Sequence, residues 1–377
     1  MPGEREGYLV RNPNAVLSEM SPGLRRFHDA HLEGILRGIR NSWPAQIDRS
    51  FFQRISGQVA LFDQDTAAMT EAILLPTQQY LDRGGKRLRP LLVCLILESY
   101  GADPGACELL LGAIECMEDS SIMMDDYIDG SELRRGGPCA HRLHGFPGAN
   151  VAACTGFAIA EAVFFNNELN LKQDLVLRLL NALSWETIQM AFGQIEELYW
   201  TESNVNCVTV DQYLQETVSR CAFLTFRGPL RYAGLIAGAP TEDISVLERI
   251  GENLLVGYHL RGDNLDMAPD SEAWGKVAGE DITTGRRTLL INYLLQYASD
   301  ADRAELIRIL NSRAADEASK GRVYDMVVKY GGFAYSRRLA EEYNELTKQD
   351  VNRLQISDAQ KQLLCEMSDF ATVRRKA

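Results

Sequence analysis

Residues 109–130 read LLLGAIECMEDSSIMMDDYIDG. Apolar residues fill most of the first sixteen positions, so the spacing predicts a long buried helix. Its end is acidic. Asp125 and Asp129 are four apart and lie on one helical face, with Asp126 beside them. Three acids in five residues near a helix C-terminus repel one another and oppose the negative end of the helix dipole. Oxygen-preferring divalent cations offset that repulsion, and Mg²⁺ characteristically joins one or two carboxylates to substrate phosphates.

Three further stretches fit the same chemistry. Asp263-Asn264-Leu265-Asp266 closes a second apolar segment, NLLVGYHLRG, with Asp263 and Asp266 again sharing a face. Gly84-Gly85-Lys86-Arg87-Leu88-Arg89-Pro90 pairs glycines, which let backbone approach a ligand, with donors suited to phosphate. Pro90 then opens a helix whose N-terminal amides favour anions. Arg134-Arg135-Gly136-Gly137-Pro138 follows the first acidic motif and adds two guanidinium forks. Acidic helix ends beside basic loops predict a diphosphate site shared between cations and side chains.

Around these motifs the chain reads as helix after helix. Helices are expected at about 50–80, 89–100, 105–128, 150–170, 174–200, 209–237, 241–267, 284–298, 301–312, 315–330, 332–347 and 358–373. Asp211 and Thr241 mark starts; Gly101, Gly130, Gly238 and Gly331 mark stops. No block alternates with a strand's period of two, and no repeat recurs. The expected fold is all-α, one large helix bundle around a central apolar cavity, spanning 46–377. Residues 1–45, with prolines at 2, 13, 22 and 44, read as a partly ordered extension carrying one amphipathic helix from Leu24 to Ile39.

The chain has 377 residues, enough for a large core, and its 39 basic and 52 acidic residues give a formal charge of −13. That balance disfavours nucleic acid and anionic membrane surfaces as general partners. Its eight cysteines are scattered with no C-x-x-C pair, as for small core side chains in a reducing compartment. The apolar run Leu91–Leu97 is too short to span a bilayer. MPGEREGYLV has no apolar signal region, so a cytoplasmic location is expected.

The motifs GGKRLRP, DDYIDGSELRRGGP, GQIEELYW, GYHLRGDNLD and WGKVAGEDITTGRRTLL occur in the order and spacing of the all-trans isoprenyl diphosphate synthases. The sequence resembles that family from about residue 80 to 295, and AHRLHGFPGANVAAC looks most like its geranylgeranyl branch. The resemblance implies an all-α prenyltransferase fold, a homodimer and three Mg²⁺ ions. By the same resemblance Asp125, Asp126, Asp129, Asp263 and Asp266 serve as metal ligands. Arg134 and Lys276 match positions for the allylic diphosphate, Arg220 stands at a catalytic position on the helix facing the metals, and Gln194 matches the reacting end of the cavity. Gly85, Lys86, Arg89 and Arg135 match the isopentenyl diphosphate site. Four positions depart from the pattern: Glu118 (with Asp119 beside it) replaces His or Gln, Arg220-Cys221 replaces Lys-Thr, His259 replaces Gln, and Gly262 replaces the first Asp of the second motif.

The leading functional expectation is therefore Mg²⁺-dependent prenyl chain elongation with isopentenyl diphosphate. A terpene synthase on the same fold, ionising one diphosphate and cyclising or quenching the cation, is the alternative that Glu118, Arg220 and Gly262 favour. A non-catalytic regulatory subunit is the third. For an elongating enzyme, Ser120 and Ser121, five and four residues before Asp125, are expected to leave the tail channel open. Met117 and Cys116, about 5.4 Å lower, would then floor it at twenty carbons, or at twenty-five.

Overall fold

The computed structural model describes residues 19–56, 66–267 and 279–372. It is a helix bundle. Helix α1 (Pro22–Ser42) begins at Ser21, whose hydroxyl accepts from the Leu24 amide, with Pro22 in the first turn. α2 is Arg49–Ser56. α3 (Thr66–Met69) runs through a π turn, Thr70–Leu74, into α4 (Leu75–Asp82). α5 (Leu88–Ser99) is buried on every side from Leu91 to Leu97, so the short apolar run is a central core helix. α6 (Glu108–Ile128) carries the first acidic motif, and α7 (Ala140–Phe165) packs along it. α8 (Gln173–Glu202) lies beside α9 (Val210–Ala222), which continues through a π turn, Phe223–Arg227, into α10 (Gly228–Ile236). α11 (Thr241–Asp266) ends in the second acidic motif, and α12 (Glu280–Thr284) is a short helix that the sequence did not announce. α13 (Leu289–Tyr297), α14 (Asp300–Ser312), α15 (Glu317–Tyr330), α16 (Gly332–Arg353) and α17 (Asp358–Thr372) complete the chain.

The expected stops at Gly101, Gly130, Gly238 and Gly331 hold: all four take positive φ, where a side chain would be strained. Thr209 rather than Asp211 caps α9, in a capping box with Gln212. The helix expected over 209–237 is continuous from Val210 to Ile236 but widens into a π turn, because Pro229 has no amide to return to the preceding turn. Gly228 N–H reaches back to Phe223 O, and the Leu224 carbonyl is left for the Arg89 Nε–H, 3.1 Å away.

Strand is not wholly absent. Leu133–Arg134 pairs antiparallel with Gly137–Pro138. Arg135 (φ 52) and Gly136 (φ 77) make the tight link, with the positive φ at both central positions that a two-residue hairpin turn needs.

The first core unites α1 with α5–α11 and α16–α17. The helix expected at Leu24–Ile39 is thus part of the packed body. α1 crosses α6 so closely that a Cβ on Gly112 would stand 2.1 Å from the Gly38 carbonyl oxygen. Among the described residues α7 is long and apolar enough to cross a membrane by length and composition, but half of that stretch is buried inside the fold. All eight cysteines are free.

Candidate active site

The last turns of α6 and α11 bring their carboxylates to one electrostatic centre, and two arginines stand between them. Arg286, on the loop between α12 and α13, donates from Nη1 to Asp129 Oδ2 at 2.7 Å and from Nε to Glu197 Oε1 at 3.1 Å. The same Nη1 lies 3.6 Å from Asp281 Oδ1. Arg220, on α9, donates to Glu216 at 2.5 Å, and its Nη1 stands 3.7 Å from Asp125 Oδ1. On α11, Asp263 accepts from the Tyr213 hydroxyl at 2.6 Å and faces His259 Nε2 at 3.8 Å. Asp266 accepts from the Asp281 amide at 3.4 Å. Gln194 reaches Glu197 at 3.5 Å, which puts it at the edge of this centre.

Burial dominates the protonation states here. It pushes the Asp129 carboxyl up to about 7 against the pull of Arg286, and it raises Asp263 as well. Burial, then the charges of Arg220 and Arg286, press His259 down to about 3, so its imidazole is neutral. Cys221 is pushed up to about 12 by burial and stays a thiol.

The donors at this centre are mainly carboxylates, the kind a hard divalent cation takes. Among the described residues no three acidic, His or Cys side chains already surround a common point; Asp129 and Glu197 are paired with Arg286, and Glu216 with Arg220. Room exists: a Cβ on Gly262 would meet nothing within 4 Å, so the α11 face next to Asp263 is open.

Asp126 is a correction. One residue further round the helix than Asp125, it is fully buried on another flank, accepting from the Tyr80 hydroxyl at 2.7 Å and from Arg134. The expected metal ligand and the expected allylic-diphosphate arginine neutralise each other and fasten the hairpin to α6. Lys276 lies outside the described residues.

The arginines of the second basic cluster are paired from within. Arg89 pairs with Glu118. Arg135 grips Asp119 with both nitrogens, at 2.7 and 3.2 Å, and donates to Tyr80 O at 2.9 Å. Arg87 pairs with Glu115 in the interior. Gly85 borders this cluster: a Cβ there would lie 3.9 Å from the Arg135 guanidinium carbon. The Lys86 ammonium stands 5.9 Å from the centre of the Tyr258 ring. Burial raises Glu118 despite Arg89, whereas for Glu115 burial is overcome by Arg87 and Arg89 and the shift is downward.

Ser120 is a second correction. Its side chain is buried in the seam with α7, where a Cβ on Gly156 would stand 2.5 Å from the Ser120 hydroxyl, 3.0 Å from that of Thr77 and 3.1 Å from the Trp43 ring. It is five residues from Asp125 and so off the acidic face; Ser121, four residues away and half-buried, shares that face.

Arg286, Glu197, Glu216 and the two tyrosines were not singled out from sequence. Arg286 had a signal, since it follows Gly285 (φ 72) just before a helix, as Lys86 follows Gly85. Glu216 and Arg220 are an i,i+4 pair. Tyr80 and Tyr213 had none, because their carboxylate partners are 46 and 50 residues away.

Comparison with known proteins identifies the family and the fold. The family profile for polyprenyl synthetase matches residues 70–327. The chain is 30% identical over 305 residues to a short chain isoprenyl diphosphate synthase of Methanothermobacter thermautotrophicus, covering 81% of this chain and 91% of that protein. It is 28% identical over 297 residues to a geranylfarnesyl diphosphate synthase of Aeropyrum pernix, covering 78% and 91%. A polyprenyl synthase from Caulobacter crescentus, solved with calcium and isoprenyl diphosphate, superposes with a TM-score of 0.76 at 25% identity, over 95% of this chain and 99% of that one. With its helical fold, its paired acidic helix ends and these matches, the chain belongs to the polyprenyl synthetase family and is an enzyme of the prenyltransferase type.

Proposed function

We propose that this enzyme joins an allylic prenyl diphosphate to isopentenyl diphosphate with the help of Mg²⁺ and releases a twenty-carbon prenyl diphosphate. The observation that carries the proposal is Arg286 and Arg220 standing between Asp125, Asp129 and Asp263, with Arg89 and Arg135 held by Glu118 and Asp119 further back along helix α6. In the reaction the allylic C–O bond breaks and its electron pair leaves with the diphosphate. The isopentenyl double bond attacks the resulting carbocation, and a proton is lost from the adjacent carbon. Arg220 and Arg286 place fixed positive charge where the leaving diphosphate gains negative charge. Asp125, Asp129, Asp263 and Asp266 would hold Mg²⁺, which supplies further charge compensation when bound. Apolar faces of α6, α8 and α11 keep water from the cation.

Met117 is fully buried one turn below Ser121, and a flexible methionine makes a soft floor, which supports the twenty-carbon product. Exposed Trp185, Ile188, Phe192, Ile195 and Tyr199 recur at alternating three- and four-residue spacing along α8, a continuous apolar stripe that supports a homodimer. Eight unpaired cysteines support a reducing, cytoplasmic setting.

A second reading has its own observation. Arg89 and Arg135 are each matched by a carboxylate, so the acceptor site is poorer in free positive charge than its guanidinium count suggests. A chain that used only one diphosphate would cyclise or quench the cation instead. Purified protein incubated with Mg²⁺ and allylic diphosphates, with and without isopentenyl diphosphate, separates the two. A longer diphosphate formed only with isopentenyl diphosphate supports elongation; a hydrocarbon or alcohol formed without it overturns that reading.

A further inference from the structure

Three acidic residues on α6 face the basic loops, and their partners are not equivalent. Arg87, which holds Glu115, also donates to Leu81 O at 2.9 Å, so that pair ties α4 to α6 in the interior. Arg135, which holds Asp119, also donates to Tyr80 O, and so fixes the hairpin. Arg89 differs. Its Nε is spent on the Leu224 carbonyl that Pro229 leaves without an amide, and this aims the outer nitrogen at Glu118. Glu118 in turn accepts from Arg89, and Tyr258, whose ring the Lys86 ammonium overlies at 5.9 Å, lies within the electrostatic reach of Lys86, Arg89 and Glu118 together. The Arg89 and Glu118 side chains are 18% and 10% exposed, against 5% for each partner of the Arg87–Glu115 pair, so the former pair borders the opening. An arginine fixed by one nitrogen and paired through another is in the posture of a phosphate ligand.

We propose that Glu118 occupies Arg89 as an internal stand-in for phosphate, so that a diphosphate enters the Gly85–Lys86–Arg89 pocket only by displacing the Glu118 carboxylate. Glu118 is thereby a specificity-determining residue that lowers affinity for the second, homoallylic substrate while leaving the allylic site unaffected. Like-charge juxtaposition in a half-buried pocket is a means of rejecting weaker anionic competitors, such as single phosphates, that cannot offset the lost ion pair. This inference rests on the second pocket being a diphosphate site, but it does not require that elongation follow.

The test is calorimetric titration of inorganic pyrophosphate, then of isopentenyl diphosphate, into chelator-treated full-length protein. Glu118→Gln keeps the shape and can still hydrogen-bond Arg89, and it should tighten both ligands by about tenfold. Adding Arg89→Gln should abolish the gain. In turnover, Glu118→Gln should lower the KM for isopentenyl diphosphate and leave that for the allylic substrate alone. If Glu118→Gln does not fold, Glu118→His, which also removes the charge and restores a donor, gives the same reading. Unchanged or weaker pyrophosphate binding, or a gain that survives the loss of Arg89, overturns the proposal. Tighter pyrophosphate binding without any elongation by the wild type would leave the gate standing and remove the elongation reading. Elongation with unchanged binding would do the reverse.

Discussion

Asp125 and Asp129 show how far a single residue's placement can be read from its spacing. Their four-residue separation predicts a shared face, and both lie beside the Arg220–Arg286 pair. Asp125→Ala and Asp129→Ala should each cut turnover by ~10² to 10³, with the helical circular dichroism unchanged. A variant retaining more than about a tenth of the wild-type rate would fall outside that range and remove the assigned role. Asp129 also has a pH signature. Its folded carboxyl titrates at about 7, above the ordinary value of 3.8, because it is buried. The native state therefore holds a proton that the unfolded chain releases, and the stability this adds is full below about pH 4 and lost as pH rises through 7. In chelator, the wild type should lose more melting temperature between pH 5 and pH 7.5 than Asp129→Asn does. Equal losses would show that Asp129 is ionised throughout.

At the scale of a helix, α6 sorts neighbouring residues to opposite fates. Asp125 points to the acidic centre and Asp126 to Tyr80 and Arg134; Ser121 lies below Asp125 while Ser120 is wedged against Gly156 of α7. A 100° step per residue is enough to do this. Ser121→Phe should therefore put a ring beneath the reacting end and shorten the main product to fifteen carbons, read by chromatography after dephosphorylation. Ser120→Phe should instead force α6 and α7 apart and destabilise the fold, by about 1–3 kcal/mol or more. A stable Ser120→Phe enzyme with a shortened product, beside an unaltered Ser121→Phe enzyme, would reverse the two faces. The π turn at Phe223–Arg227 teaches a related lesson: Pro229 was visible in the sequence, but the consequence, a free carbonyl that holds Arg89, depended on α5 lying beside it.

For the whole molecule, the stripe on α8 is a feature that a lone chain leaves unexplained. Phe192 is 69% exposed and Ile195 65%, values that an isolated soluble helix face does not favour. A two-fold dimer would pair the stripe with itself, since such interfaces are self-complementary. Sedimentation equilibrium should give twice the chain mass, and Phe192→Glu with Ile195→Glu should give the single mass with the fold retained. A wild-type monomer at tens of micromolar would exclude this interface.

The order of helices, the all-α class and the face shared by Asp125 and Asp129 were legible in the sequence because they depend on local periods: 3.6 residues per turn, glycine stops and the absence of alternation. The basic loops stood out for the same reason, since paired glycines and arginines lie within a few residues, and the expectation of a diphosphate site came from them. Tertiary structure decided which charges are available. Asp126 is cancelled by Arg134, Asp119 by Arg135 and Glu118 by Arg89, while Arg286 enters the acidic centre from 157 residues beyond Asp129. A charge's effect depends on its distance to other charges and on its burial, and helix packing sets both without any local trace in the chain.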